Sequence, residues 1–133
     1  MTDYAVQIIR CIHESEKEIV TSKEIAEKEG ISHGVLMKVL RILRLNGFLI
    51  SHQGRGEVAG GYSLNRSIRD MTLLDIIECM EGTVTIAEPL DEDEQSQLSK
   101  GSTQILKEYQ RVSTLLRKEL GRYSILELLE ENK

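Results

Sequence analysis

Apolar residues recur at helical spacing along most of this chain. Ala5, Ile8, Ile9 and Ile12 mark one face of a first helix over 3–14. After a short link, Thr21-Ser22-Lys23-Glu24 has the form of a capping box, which starts a second helix. That helix carries Ile25 and Ala26 and stops at Gly30, because glycine closes helices at little steric cost. Ser32 is placed to cap a third helix. Its inner stripe is Val35, Leu36, Val39, Leu40 and Leu43, and Asn46-Gly47 ends it. His33, Met37, Lys38, Arg41 and Arg44 fall on the other side.

The pattern then switches to alternation. FLISHQ at 48–53 predicts a strand with Phe48 and Ile50 inward. GRGEVAGG at 54–61 holds four glycines in eight residues, and Tyr62-Ser63-Leu64 alternates again. Two strands joined by such a loop make a β-hairpin. Helices meeting at a tight turn, followed by this hairpin, predict a winged helix-turn-helix. The expected fold class is mainly α with a small β-hairpin and a long C-terminal dimerisation helix.

In the second half, Thr72 and Asp75 predict a capped helix with Leu73, Ile76, Ile77 and Met80 on its apolar stripe, ending at Gly82. Thr83–Ile86 reads as a short strand. Residues 88–97, EPLDEDEQSQ, hold the only proline and read as an exposed acidic loop. The longest helical pattern runs from about Leu98 to Leu120. On it Ile105, Tyr109, Val112 and Leu116 recur at spacings of 4, 3 and 4, resembling a heptad seam that Leu106 and Leu115 widen. Gly121 ends it, and Ser124-x-x-Glu127 caps a last helix with Ile125, Leu128 and Leu129.

Composition narrows the class of protein. At 133 residues, 29% charged and 40% hydrophobic, the chain is expected to be an ordinary globular unit. No apolar run approaches the roughly 18 residues of a membrane span. The start, MTDYAVQIIRCIHE, shows no basic leader before an apolar stretch, which argues against a secretory signal. Two cysteines, Cys11 and Cys79, make no disulfide framework, so a reducing cytoplasm is the expected location. Aromatics are 4% with no Trp, which disfavours stacking platforms for single-stranded nucleic acid.

Charge changes the picture more. The net value of −5 argues against nucleic acid, but its distribution argues the opposite. Residues 1–30 carry −3, residues 31–70 carry +4 and residues 71–133 carry −6. A basic middle between acidic flanks fits a local polyanion-binding surface.

The third helix, 32–45, is the main candidate for that surface. A major groove admits one α-helix, whose outer polar side chains reach base edges. Arg41 and Arg44 can bond guanine edges or phosphates, and His33 can donate from the first turn. The triplet Lys38, Arg41 and Arg44 alone would suit any solvated helix face; its place between a capped helix and a glycine hairpin favours DNA. The wing, 53–61, is the second candidate, with Arg55 positioned for a minor groove and Glu57 opposing phosphate. Thr21, Ser22 and Arg66 are expected phosphate contacts, and Ser32 joins the DNA-binding set at the recognition helix. The seam of the long helix calls for a partner, most economically a second copy. A two-fold dimer would set two recognition helices roughly 34 Å apart.

No catalytic constellation emerges. His13, His33, His52 and the two cysteines lack metal-ligand spacing, and no nucleophile elbow, phosphate loop or dinucleotide fingerprint occurs. Both cysteines read as small buried hydrophobes, with a thiol sensor as the minor alternative.

An ordered set of short motifs carries a resemblance. It comprises Tyr4-Ala5, Glu24-Ile25-Ala26, Ile31-Ser32, Leu36 and Leu43-x-x-Asn46-Gly47-Phe48-Leu49. It continues with Ser51, Gly60-Gly61-Tyr62-x-Leu64, Met71-Thr72-Leu73-x-Asp75-Ile76-Ile77 and Glu81-Gly82. Over residues 4–86 the chain resembles the Rrf-two family of bacterial transcription regulators, the IscR, NsrR and CymR group. The resemblance implies a homodimeric winged-helix repressor or activator that dimerises through its long C-terminal helix.

Departures from that family pattern matter. Iron–sulfur members carry three cysteines between the 72–82 helix and the long helix, and residues 83–100 here contain none. The chain therefore resembles cluster-free members, some of which respond to a partner protein or small metabolite, and no cofactor is expected. The wing is longer than the family's, with Gln53 in the register of the wing arginine and Arg55 as its nearest match. Met37 stands where members often carry a polar residue, which implies an altered base preference.

The sequence thus predicts a non-enzymatic, sequence-specific DNA-binding regulator, most simply a repressor. The DNA-binding domain would be 1–66, and 67–133 a dimerisation and effector region. The rival readings are a protein-interaction module on a winged-helix scaffold and a thiol- or metal-responsive regulator.

Overall fold

The computed structural model describes residues 1–57, 59–86, 91–97 and 99–131. Its elements, in chain order, are α1 (Thr2–Glu14), α2 (Ser22–Glu29), α3 (His33–Leu45), β1 (Leu49–His52), β2 (Gly61–Leu64), a 3-10 turn (Ile68–Asp70), α4 (Leu73–Glu81), α5 (Glu92–Ser96), α6 (Lys100–Leu120) and α7 (Ile125–Glu131). This is the winged helix-turn-helix followed by a long helix that the sequence predicts.

The helices start and stop for local reasons. Thr21 caps α2 by accepting from the Glu24 amide at 3.1 Å, and Gly30 closes that helix in the left-handed conformation. Thr72 and Asp75 complete the expected capping box of α4, each side chain serving the other's amide. Ser124 and Glu127 do the same for α7. Ser32 is the N-cap residue of α3, but its side chain makes no capping bond.

The core forms where α1, α3 and α4 meet above the hairpin. Ala5, Ile8 and Ile9 of α1 are fully buried, as are Leu36, Val39, Leu40 and Leu43 of α3. Ile68, Met71, Ile76 and Ile125 belong to the same cluster, so the 3-10 turn, α4 and α7 share the core of the first three helices. The start of α7 is tied down by the Ile125 amide, which donates to the Met71 carbonyl at 2.7 Å.

β1 and β2 pair antiparallel, with Leu49 opposite Leu64 and His52 opposite Gly61. Tyr62 also exchanges both backbone hydrogen bonds with Val20, at 2.8 and 2.9 Å, so the segment before α2 adds a single bridge to the free edge of β2. A Cβ on Gly61 would lie 2.5 Å from the Val20 carbonyl oxygen, and one on Gly60 would lie 2.3 Å from that of His52. Those two contacts explain the glycine pair: only a residue without a side chain lets the wing return so close to its neighbours.

Three expectations need correction. The strand begins at Leu49, and it is Phe48 and Leu49 that are buried, whereas Ile50 is exposed. Phe48 precedes the pleat, so the alternation counted from it is displaced by one residue. Residues Thr83–Ile86 form no strand: the Ile86 amide donates to the Ser113 hydroxyl at 2.9 Å instead of to a β ladder. The acidic stretch is not all loop, because Glu92–Ser96 forms a short helix with the Asp91 carboxylate accepting from the Glu94 amide at 2.8 Å. Residues 87–90 and Leu98, the expected start of the long helix, lie outside the described residues.

Two glycine substitutions separate these constraints. Gly61→Ala should destabilise by about 1–3 kcal/mol or more, because its methyl group meets backbone that cannot yield. Gly34→Ala, where an added Cβ meets nothing within 4 Å, should be neutral or stabilise by up to about 1 kcal/mol. Urea denaturation of both variants checks the pair.

Candidate nucleic-acid interface

The candidate interface is a consequence of how α3 is buried. Successive residues of a helix turn by about 100°. With Leu36, Val39, Leu40 and Leu43 sealed inside, His33, Met37, Lys38, Arg41 and Arg44 must face out, and all five are exposed. Several cations elsewhere are tied to carboxylates, Arg10 to Glu29, Lys17 to Glu24, Arg117 to Glu78 and Arg122 to Glu119, whereas Lys23, Lys28, Arg69, Lys100, Lys107 and Lys118 stand scattered without one among the described residues. Among the described residues, Lys38, Arg41, Arg44 and Arg55 have no such pair. An unpaired surface cation meets a phosphate without first breaking an internal bond.

The start of α2 and the base of the wing come together. Thr21, Ser22 and Lys23 line one side of a cleft of about 400 Å³, and Ser51, His52 and Tyr62 the other. The Thr21 hydroxyl is used locally, accepting from the Glu24 amide and donating to the Glu24 carboxylate at 3.2 Å. The Lys17 ammonium, 3.2 Å from that carboxylate, is the main cause that holds its pKa below the usual range, with the Thr21 hydroxyl adding to it. On the hairpin, the His52 Nε2 and Ser63 Oγ are 2.7 Å apart across the two strands. Gln53 and Arg55 are exposed in the wing, while Val58 lies outside the described residues.

Arg66 differs from the other expected contacts. Its guanidinium lies 4.9 Å from the centre of the Phe48 ring, donates to the Asp70 carbonyl at 3.1 Å and sits 3.8 Å from the Asp75 carboxylate. It joins the end of the hairpin to the start of α4 while its side chain stays 38% exposed.

The long helix α6 is two-sided. Ile105, Tyr109, Leu115 and Leu116 are exposed, Ile105 by 56%, while Val112 and Leu106 are half-buried. The neighbouring face meets α4: Arg117 pairs with Glu78, and Gly121 approaches the Leu74 side chain. Ser113 is buried there and holds the 83–86 segment through the Ile86 amide. Sequence reasoning missed Ser113, the Glu78–Arg117 pair, and Ser51 and His52 as cleft residues. A polar residue in a heptad-like run was the one available signal for Ser113; the others depend on pairing across elements.

With this geometry in place, comparison with known proteins settles the kinship. A family model, Rrf2, described as iron-dependent transcriptional regulator, matches residues 1–131. The chain belongs to the Rrf2 family. The Rrf2 protein of Nitratidesulfovibrio vulgaris is 36% identical over 70 residues, which covers 53% of this chain and 44% of that protein. The chain spans about half the length of the curated relatives it matches. Among solved structures, CymR, the global cysteine regulator of B. subtilis, superposes with a TM-score of 0.69 at 21% identity, covering 98% of this chain and 93% of that one. IscR of T. potens gives 0.63 at 24% identity, covering 99% and 82%. These likenesses show the Rrf2 fold, and Rrf2 proteins are transcription regulators rather than enzymes.

The iron named for the family can be tested against the donors present. The whole sequence has two cysteines, Cys11 in α1 and Cys79 in α4, and Cys11 is 2% exposed inside the core. The described residues hold no group of three His, Cys, Asp or Glu side chains able to bind a metal ion. A cluster held by three thiolates does not fit this donor set. No helix of the described residues is long and apolar enough to cross a membrane.

The thiols should be sluggish. Burial pushes both pKa values up, and the Glu29 carboxylate adds to the effect at Cys11. The nucleophile is the thiolate. A raised folded-state pKa keeps the neutral form to higher pH; stability from burying that form is full below the unfolded-state value and is lost as pH rises through the folded one. Iodoacetamide should therefore alkylate Cys11 at least about tenfold more slowly in the native chain than in urea. Mass spectrometry of timed quenches reads this directly.

Proposed function

We propose that this Rrf2 chain is a sequence-specific DNA-binding transcription regulator, acting as a homodimeric repressor in the cytoplasm. One observation carries the reading: the outer face of α3 is exposed, and its cations have no carboxylate partner among the described residues. In this reading α3 enters the major groove. Arg41, Lys38, Arg44, His33 and Met37 face the bases, and Ser32 stands at its N-terminus. Ser22 and the amides at the start of α2 meet phosphate, with Thr21 shaping that turn through its cap. Gln53 and Arg55 lie along the minor groove, where the potential is most negative. Arg66 contributes chiefly by fixing the hairpin on α4.

The uncovered stripe of α6 supports pairing of two copies through Ile105, Tyr109, Val112 and Leu116, which withdraws that apolar surface from water. The donor set supports regulation without a bound cluster, the signal coming from a small molecule or a protein effector. Residues 1–66 then serve as the DNA-binding part and 67–133 as the dimerisation and effector part, although the two share one core.

Two measurements test this. In gel shifts against duplexes selected from a random pool, Arg41→Ala should cost about 1–3 kcal/mol and relax preference at one base pair. A uniform loss, with the salt slope lower by about one unit, would assign Arg41 to phosphate instead. Unchanged binding would reject α3 as the reading element. In sedimentation equilibrium, the wild-type chain should be a dimer and the double variant Ile105→Glu, Leu116→Glu a monomer with unchanged helical content. A monomeric wild-type chain at micromolar concentration would reject the dimer.

A further inference from the structure

Met37 sits in the middle of the outer face of α3 and is 37% exposed. Around it that face carries His33, Lys38, Arg41 and Arg44. A single exposed apolar side chain is ordinary on a protein surface. Its surroundings here are not: α3 carries Lys38, Arg41 and Arg44 and no acidic residue, and none of the three has a carboxylate partner among the described residues, so the surface is complementary to a polyanion rather than to another apolar face. Gly34, one turn earlier, adds a second observation. A Cβ there would meet nothing within 4 Å, so packing inside the protein does not call for glycine, and glycine disfavours a helix relative to alanine. The missing side chain leaves a step in the ridge just before Met37, open to whatever approaches from outside.

We propose that Met37 is a specificity-determining residue that packs against the 5-methyl group of a thymine in the major groove, with Gly34 letting the groove wall come close. The proposal rests on the DNA reading of α3 and deepens it. The thymine methyl group is the apolar landmark of the major-groove edge, and a flexible thioether adapts its shape to it. RNA offers no such site: the A-form major groove is too deep and narrow for side chains to read. Arg41 lies one turn beyond Met37, roughly 6 Å along the helix axis, so the thymine lies about two base steps from the base that Arg41 meets.

Deoxyuridine provides the test, because it deletes the methyl group and keeps every hydrogen-bonding atom. The full chain selects binders from a random-sequence DNA duplex pool. The selected duplex is then resynthesised with deoxyuridine at each thymine in turn, and affinities are measured by fluorescence anisotropy. For the wild-type chain, one thymine and its symmetry mate should each lose about fourfold in affinity when the methyl group is removed, the scale of burying one such group. Met37→Ala should bind the thymine and deoxyuridine duplexes equally, and Met37→Leu should restore the difference. A wild-type chain indifferent to every methyl group overturns the proposal, as does a Met37→Ala chain as sensitive as wild type. Failure to enrich any duplex at low salt overturns the DNA reading itself, which is a distinct result from a selected duplex whose methyl groups are silent.

Discussion

Everything outward on this molecule depends on the inner stripe of α3. Leu36, Val39, Leu40 and Leu43 are wholly excluded from water, each at about 1.5–3 kcal/mol relative to exposure. A helix is rigid in rotation, so sealing four positions on one side leaves no freedom on the other. Lys38, Arg41 and Arg44 point away from the core because a rotation that tucked them in would bury charges without partners and expose leucines. The same burial seats α1 and α4 around α3, and the hairpin follows from the buried Phe48 and Leu49 at its foot.

The hairpin is held by backbone as much as by side chains. Tyr62 pairs with Val20 on one side while β1 pairs with β2 on the other, so the wing is locked to the turn that begins α2. The close contacts of Gly60 and Gly61 are the cost of that lock in sequence terms. They also create the cleft in which the start of α2 faces Ser51 and His52. A loop that returns without these glycines would stand off from α2, and the two parts of the candidate interface would separate.

Helix α6 links differently. Its inner side is polar at the points of contact: Ser113 holds the 83–86 segment, and Arg117 meets Glu78 of α4. Its outer side is apolar and uncovered. Because α4 packs on both α1 and α3, a change in how α6 lies against Glu78 reaches the element that bears the exposed cations through one intervening helix. The acidic balance of the chain fits this division. Acidic residues dominate the flanks, where several are paired with local cations, and the excess positive charge is left on the segment from α3 to the wing.

The helices, their caps and the order of elements were legible in the sequence, because each rests on residues within a few positions of one another. Thr72 with Asp75, Ser124 with Glu127, Gly30 and the leucine stripe of α3 are local chemistry, and the chain states them directly. The outer face of α3 was legible for the same reason. What only the tertiary structure decided depends on residues distant in sequence. Ile50 turned outward because the strand starts one residue later than its alternation implies. Thr83–Ile86 lost its strand to a hydroxyl 27 residues on. Arg66 is engaged at the surface by Phe48, Asp70 and Asp75 together. In each case a group chose between partners, and the choice was set by which elements the core had already brought alongside.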